Sequence, residues 1–131
     1  MSEIPSDLYY TSDHEWVRRT GDDTVRVGIT DYAQSALGDV VYIDLPSVGT
    51  DVAAGGEFGT VQSPKSESEL YAPITAKVIA VNEDLVDSPE QVNAEPYGSG
   101  WLIELQVDAA DLADAFAGLL DADGYRATLD E

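Results

Sequence analysis

Residues 57–71 read EFGTVQSPKSESELY, and the fold follows from this stretch. Residues 57–62 and 67–71 are short strand-like runs, and Ser63-Pro64-Lys65-Ser66 between them has the composition of a turn. Two such runs joined by four residues predict a β-hairpin with Lys65 in its connection. A sheet holds such a turn rigidly, so the tip can present a side chain to solvent.

Strand signals continue on both sides of this hairpin. Residues 24–29 alternate with a period of two after a Gly-Asp-Asp turn, and residues 39–45 are rich in β-branched and aromatic side chains. Two further strands are predicted at 76–81 and 101–107. Short strands separated by Gly, Pro, Asn and Asp are typical of a small β-sandwich or barrel, so the chain is predicted to be mainly β.

Helix signals are confined to three places. Thr30 or Asp31 can cap a short internal helix that ends before Gly38. Asp108 can cap a longer helix. One face of that helix would carry the apolar side chains Leu112, Phe116, Leu119 and Leu120. The third signal is a final short turn that runs from Gly124 towards Leu129.

These elements predict one domain over residues 1–131. Its β core would span about 9–107, and residues 108–129 would form a helical appendage packed on that core. No linker long enough to divide the chain is visible between the predicted elements.

The composition excludes several classes of protein. The chain has 131 residues, with 26 acidic and 6 basic side chains and a formal net charge of −20. Phosphate backbones need clustered basic residues, so we expect no nucleic acid as a partner. The lack of cysteine excludes a disulfide framework, a thiol nucleophile and cysteine-bound metals. The single histidine, His14, excludes a metal site built on several histidines.

No targeting or membrane-spanning segment is expected. Residues 1–5 lack the basic start and apolar run of a secretory signal, and no stretch approaches the roughly 18 apolar residues of a membrane span. We therefore expect a monomeric cytoplasmic protein with no membrane partner. The excess of carboxylates would repel itself unless salt screens it, which indicates the salt-loaded cytoplasm of a halophilic archaeon. The alternative is a moderately acidic bacterial protein that meets basic partner surfaces.

His14 and Lys65 are the two residues whose chemistry must be decided. His14 stands between two acidic residues, but no motif for metal binding or nucleophilic catalysis accompanies it, which favours a structural or partner-binding role. Lys65 is one of only two lysines, the other being Lys77. Lys65 is either a solvated lysine that offsets carboxylates or an amine presented at a hairpin tip for covalent acylation.

The sequence around Lys65 decides between these interpretations, because it resembles a known family at several separated places. The matching stretches are HEWV at 14–17, VGITDYAQ at 27–34, LGDVVYIDLPSVG at 37–49, GTVQSPKSESELYAPI at 59–74 and VNAEPYGSGWLI at 92–103. Together they resemble the H-protein family of the glycine cleavage system over almost the whole chain. The resemblance implies a lipoyl-domain-like barrel-sandwich hybrid with a short internal helix and C-terminal helices packed on it.

The resemblance places covalently attached lipoate on Lys65. The family usually writes this turn as Glu-Ser-Val-Lys-Ala, whereas this chain has Gln62, Pro64 and Ser66 at the first, third and fifth places. Pro64 fixes its own φ and pushes the preceding residue towards an extended conformation, which the entry to a hairpin accepts.

The resemblance also implies a cleft that shelters the loaded arm. Glu15 and Glu69 match acidic positions lining the family's cleft, Asp13 matches a small polar position, and Tyr32 stands where several members have histidine. The loaded arm ends in a cationic amine, so a nearby carboxylate would hold it by a charge-assisted hydrogen bond. A tyrosine at position 32 can make a hydrogen bond but is not a base near pH 7.

The resemblance implies a carrier and not an enzyme. Its partners would be a pyridoxal-phosphate-dependent glycine decarboxylase, a tetrahydrofolate-dependent aminomethyltransferase, an FAD-containing dihydrolipoyl dehydrogenase and a lipoate-attaching enzyme. The chain would carry the aminomethyl group of glycine from the first to the second, and the reduced dithiol to the third. Two alternatives stay open: a lipoyl relay donor to other lipoate-dependent complexes, and a regulatory relative that has lost the arm. The presence of Lys65 counts against the second of these.

Overall fold

A computed structural model describes residues 4–129 of the chain. Residues 1–3 and 130–131, at the two ends of the predicted domain, lie outside the described residues. The prediction that residues 1–5 are not a secretory signal therefore falls mostly outside the described residues.

The described residues form two antiparallel sheets. The strands, in chain order, are β1 (Tyr9–Tyr10), β2 (Glu15–Arg19), β3 (Thr24–Ile29), β4 (Tyr42–Asp44), β5 (Asp51–Val52), β6 (Glu57–Ser63), β7 (Ser66–Tyr71), β8 (Ala76–Val81) and β9 (Ile103–Gln106). The larger sheet has the order β1-β2-β3-β9-β8-β5, and the smaller sheet has the order β4-β6-β7. The hairpin that carries Lys65 therefore makes up two of the three strands of the smaller sheet.

Two of the strand predictions agree with the structure in both of their bounds. The predicted strands at 24–29 and 76–81 coincide with β3 and β8. The strands predicted at 39–45 and 101–107 are shorter in the structure, where they are β4 and β9. Strand β2 was not predicted, because its first three residues are all buried and the period of two is lost.

The core lies between the two sheets. Its main cluster includes Val27 of β3, Val61 of β6 and Leu105 of β9, each no more than 1% exposed. Burying an aliphatic side chain of this size stabilises the fold by about 1.5–3 kcal/mol. A second cluster joins the beginning and the end of the chain through its buried members Leu8, Tyr10, Trp16, Ala122 and Tyr125. The two ends of the described chain are thus packed together, next to the start of β2.

Within residues 4–129, five short helices connect and cover the sheets. They are α1 (Asp31–Leu37), α2 (Asp84–Asp87), α3 (Gln91–Ala94), α4 (Ala109–Ala117) and α5 (Ala122–Arg126). Thr30 caps α1 by accepting the Ala33 N–H at 3.2 Å, and α1 ends at Gly38, which has a φ of 83°. Both features were predicted, because a threonine cap and a terminal glycine satisfy the free backbone groups at the ends of a helix.

The C-terminal predictions need two corrections. Leu119 and Leu120 lie beyond the end of α4, because Leu120 exchanges two backbone hydrogen bonds with Tyr10, at 2.7 and 2.8 Å, instead of continuing the helix. The short turn predicted from Gly124 towards Leu129 is the helix α5, which begins earlier, at Ala122, and ends at Arg126. Asp121 caps α5 by accepting the Gly124 N–H at 2.7 Å, a signal that the sequence contained.

None of the helices within residues 4–129 has both the length and the hydrophobicity that crossing a bilayer requires.

Candidate functional site

Lys65 lies at the exposed tip of the β6–β7 hairpin. Ser63 pairs with Ser66, so Pro64 and Lys65 alone form the connection, two residues instead of the four predicted. The pairing of β6 with β7 therefore extends to the tip of the hairpin. The Ser63 Oγ also donates a hydrogen bond to the Ser66 carbonyl at 3.3 Å. The two strands fix the position of the tip and leave the lysine in solvent.

The Lys65 side chain lies against the loop that follows α1, residues 38–40, which is here called its seat. A Cβ added at Gly38 would lie 3.4 Å from Lys65 Cε and 3.8 Å from Nζ. Asn93 of α3 fixes this loop, since it accepts the Val40 N–H at 2.8 Å and donates to the Gly38 carbonyl at 2.8 Å and to Gln34 Oε1 at 3.0 Å. Glycine at position 38 adopts the positive φ of this loop, and the lysine stem lies at van der Waals distance from the position that a Cβ would take.

A cleft of about 760 Å³ opens beside the hairpin, between β7, α1 and residues 12–15. It is lined by all four residues that the resemblance assigned to it: Asp13, Glu15, Tyr32 and Glu69. Leu37 and Ser66, the neighbours of Gly38 and Lys65, line it as well. The cleft therefore adjoins the lysine and its seat.

Glu15 is the buried charge-bearing group of the cleft, with 2% of its surface exposed. Its Oε2 accepts the Tyr71 N–H at 2.8 Å, which links the first residue of β2 to the last residue of β7. Its Oε1 is buried and has no hydrogen-bond partner among residues 4–129. Burial raises the pKa of Glu15 from 4.5 to about 8, while the Tyr71 N–H opposes this rise and the nearby Asp13 adds to it. The cleft thus contains a carboxyl oxygen able to accept a donor.

The other three predicted residues have more open surroundings. Asp13 and Glu69 are exposed, and Glu69 Oε2 accepts the Tyr71 hydroxyl at 2.6 Å. This hydrogen bond to a carboxylate raises the pKa of Tyr71. The Tyr32 ring lies against the His14 ring, with 4.9 Å between their centres. Tyr71 was not among the predicted residues, although its spacing of two from Glu69 places both side chains on one face of β7.

His14 also lines the cleft, which the sequence prediction did not foresee. Its backbone has a φ of 67°, and its Nδ1 lies 2.8 Å from the hydroxyl of Tyr125 in α5. Burial lowers the pKa of His14 and outweighs the opposing effect of Asp13. The structural role favoured from sequence agrees with this contact, but the contact with a C-terminal residue could not be inferred from local sequence.

Comparisons with known proteins agree with this geometry. The family model for the glycine cleavage H-protein matches residues 8–131. The glycine cleavage system H protein of Mycolicibacterium smegmatis is 70% identical over the full length of both chains, and that of Mycobacterium bovis is 63% identical, also with full coverage. The crystal structure of the H protein from Mycobacterium marinum superposes with a TM-score of 0.84 at 43% identity, over 95% of this chain and 97% of that one.

Two consequences follow from these comparisons. The predicted lipoyl-domain-like barrel-sandwich fold is confirmed. The expected halophilic archaeal source is not supported, because these relatives come from mycobacteria, which are bacteria. The acidic composition therefore does not identify the habitat of the source organism. From the match over residues 8–131 and the full-length identities, the chain belongs to the glycine cleavage H-protein family, whose members are lipoate-bearing carriers of the glycine cleavage system and not catalysts themselves.

Proposed function

We propose that Lys65 bears the lipoyl group in amide linkage and that the cleft lined by Glu15 receives the loaded end of the arm. One observation carries this proposal: the exposed lysine adjoins a cleft in which a buried carboxyl oxygen, Glu15 Oε1, has no hydrogen-bond partner within the described part of the chain. The chain then acts as one carrier domain, in which the β core positions the lysine and the C-terminal helices complete the fold.

The surroundings of the two lysines favour Lys65 over Lys77. Lys65 lies in a two-residue tip, where an enzyme can enclose the side chain without disturbing the sheet. Lys77 lies within β8, and its backbone is paired with Asp51 on one side and Gln106 on the other. An active site that closed around Lys77 would therefore meet three strands of the larger sheet.

The cleft residues would hold the loaded arm and keep water from it. The attached lipoyl group would supply the disulfide that accepts the aminomethyl group, and release of that group would leave the dithiol. Glu15 Oε1 would accept a hydrogen bond from the cationic amine, and the exposed carboxylate of Glu69 would add to the negative potential at the entrance. The apolar walls formed by Ile29, Ala33 and Leu37 limit hydration.

The protonation state of Glu15 also supports its role in binding the cationic amine. With a pKa of about 8, this carboxyl is mostly protonated at pH 7 when no cation is near. A cation beside Oε1 favours the ionised form, so binding an ammonium group would displace the proton from Glu15. The buried carboxyl is thus matched to a positively charged ligand, whose binding would strengthen as the pH rises towards 8.

The proposed partners are those that membership of the family implies. They are the glycine decarboxylase, the aminomethyltransferase, the dihydrolipoyl dehydrogenase and a lipoate-attaching enzyme, all acting in the bacterial cytoplasm. A carrier that visits several enzymes needs short-lived docking, and its net charge of −20 favours partners with basic entrances.

Peptide mass spectrometry of the protein from its native cell tests the attachment site. We expect the lipoyl mass on the peptide that contains Lys65 and an unmodified Lys77. Lipoate on Lys77, or an unmodified Lys65 in cells growing on glycine, would contradict the assignment.

A separate experiment tests the cleft. Glu15→Ala and Glu69→Ala should shorten the lifetime of the isolated loaded protein, measured as release of ammonia and formaldehyde, while lipoylation is unchanged. Asp51→Ala is the matched control, since Asp51 is an exposed carboxylate of β5 outside the cleft. Lifetimes equal to wild type in both cleft variants would show that protection comes from elsewhere.

A further inference from the structure

The hydroxyl of Tyr125 joins three segments that are far apart in the sequence. It lies 2.8 Å from His14 Nδ1 and 2.8 Å from Thr30 Oγ1. Tyr125 and Thr30 are both fully buried, and the Tyr125 ring stacks on Tyr10 with 4.8 Å between ring centres. Tyr125 belongs to α5 and does not itself line the cleft, yet it contacts both His14 and the residue that caps α1.

The hydrogen bonds around Thr30 have a preferred direction. Thr30 Oγ1 accepts the Ala33 N–H at the start of α1, so the oxygen already has one donor. A buried hydroxyl proton needs an acceptor, and the Tyr125 oxygen is within hydrogen-bond distance of it. Thr30 therefore donates to Tyr125, which directs the Tyr125 proton towards His14 Nδ1.

His14 is held at the cleft by its backbone as well as by its ring. Its carbonyl accepts the Thr30 N–H at 3.0 Å, and its left-handed φ turns the chain between residue 13 and the start of β2. Its ring packs against Tyr32 in the cleft wall. Because burial lowers the pKa of His14, the ring is neutral at pH 7, and a neutral imidazole has one protonated nitrogen.

We propose that Tyr125 is a positioning residue for the cleft: its hydroxyl, held by Thr30, fixes His14 as the tautomer protonated on Nε2 and keeps its ring against Tyr32. This inference rests on the proposed function in one respect, namely that the cleft receives the loaded arm. It adds that the C-terminal helix α5 controls a donor in the cleft wall, although α5 contributes no side chain to that wall.

The tautomer of His14 is directly measurable, because His14 is the only histidine of the chain. Two-bond ¹⁵N–¹H correlation spectra of the full-length unmodified protein should give a protonated Nε2 and an unprotonated Nδ1. In Tyr125→Phe the signals should shift towards a mixture of the two tautomers. Tyr10→Phe is the matched control, since it removes the other hydroxyl of the stacked pair, which bonds to the Pro5 carbonyl.

The outcomes of the tautomer measurement are distinct. A wild-type ring protonated on Nδ1, or an unchanged tautomer in Tyr125→Phe, would overturn the proposal. If Tyr125→Phe fails to fold, Thr30→Ser and Thr30→Val replace it. The serine retains the hydroxyl and should retain the tautomer, and the valine should lose it.

The lifetime of the loaded protein tests the functional part. Tyr125→Phe should shorten it about five-fold, the size expected for one lost hydrogen bond, while Tyr10→Phe leaves it unchanged. If Glu15→Ala shortens the lifetime and Tyr125→Phe does not, the positioning role is wrong and the cleft function stands. If neither variant shortens the lifetime, the proposed function of the cleft is wrong. The NMR measurement alone then decides whether Tyr125 fixes the tautomer of His14.

Discussion

The hairpin tip and the cleft wall place the two groups of the proposed site in opposite environments. Lys65 is exposed in a connection of two residues, whereas Glu15 is 2% exposed and tied by a hydrogen bond to the neighbouring sheet. The Lys65 side chain is exposed and contributes little to the packing of the fold, whereas Glu15 is buried and hydrogen-bonded within it. Substitutions at the tip should therefore affect function alone, and substitutions in the wall should affect function and stability together.

The largest functional effect is expected at the tip. Lys65→Arg should abolish lipoylation and glycine cleavage, because a guanidinium does not replace the amine that is acylated. The free energy of unfolding should stay within about 0.5 kcal/mol of wild type, as is usual for exposed positions. Glycine cleavage assays and thermal melts check the two parts.

Lys77→Arg is the control for this variant and should retain lipoylation and activity. Residual activity in Lys65→Arg, or an equal loss in Lys77→Arg, would remove the functional distinction between the two lysines.

In the wall, Glu15→Gln should change the pH dependence of stability. Folding raises the pKa of Glu15 from 4.5 to about 8, so between these values the folded protein retains a proton that the unfolded chain releases. The wild type therefore loses stability as the pH rises from 4.5 to about 8. Glutamine keeps an acceptor for the Tyr71 N–H and carries no charge, so at pH 8 the free energy of unfolding of the variant should exceed that of wild type by on the order of 4 kcal/mol.

Urea melts of both proteins from pH 4 to pH 9 measure this difference, which should approach zero towards pH 4. A difference that does not change with pH would mean that Glu15 titrates alike in the folded and unfolded states.

An intermediate effect is expected at the boundary between the two regions. Gly38→Ala should lower the free energy of unfolding by about 1–2 kcal/mol, because alanine is strained at a φ of 83°. Its Cβ would also come into van der Waals contact with the Lys65 stem and restrict the conformations of that side chain. Lipoylation of this variant should also be slower than that of wild type.

Gly55→Ala separates strain from contact with Lys65. Gly55 has a similar φ of 80°, but among the described residues no atom beyond its chain neighbours lies within 4 Å of the position that an added Cβ would take. Denaturant melts should show a similar loss of stability for Gly55→Ala, and its lipoylation rate should equal that of wild type. Equal rates for both variants would mean that the seat does not matter to the modifying enzyme.

The smallest effect should come from salt. The chain has 26 acidic and 6 basic side chains, so its carboxylates repel one another at low ionic strength. Molar salt reduces the screening length to about 3 Å and should raise the melting temperature by a few degrees. Sodium chloride titrations of wild type and Lys65→Arg should give the same slope. A melting temperature that is independent of salt would show that the acidic surface does not limit stability.

Local sequence signals predicted the hairpin, the strands at 24–29 and 76–81, and the Thr30 cap, because alternation and capping act over a few residues. The resemblance to the family predicted four cleft residues that the structure brings together. Local patterns could not predict that Tyr125 would contact His14, since these residues are 111 positions apart. Nor could they predict that Leu120 would pair with Tyr10 rather than extend a helix, because that choice depends on a strand at the other end of the chain.

Strand β7 is an edge of the smaller sheet, and its sequence has a consequence for the behaviour of the protein at high concentration. An edge strand can template pairing with another chain and so begin aggregation. Here Glu67 and Glu69 place negative charge along that edge, and Glu15 occupies the Tyr71 N–H at its end. Two copies that approach through this edge repel each other, so the same carboxylates that face the cleft also oppose the formation of intermolecular sheets.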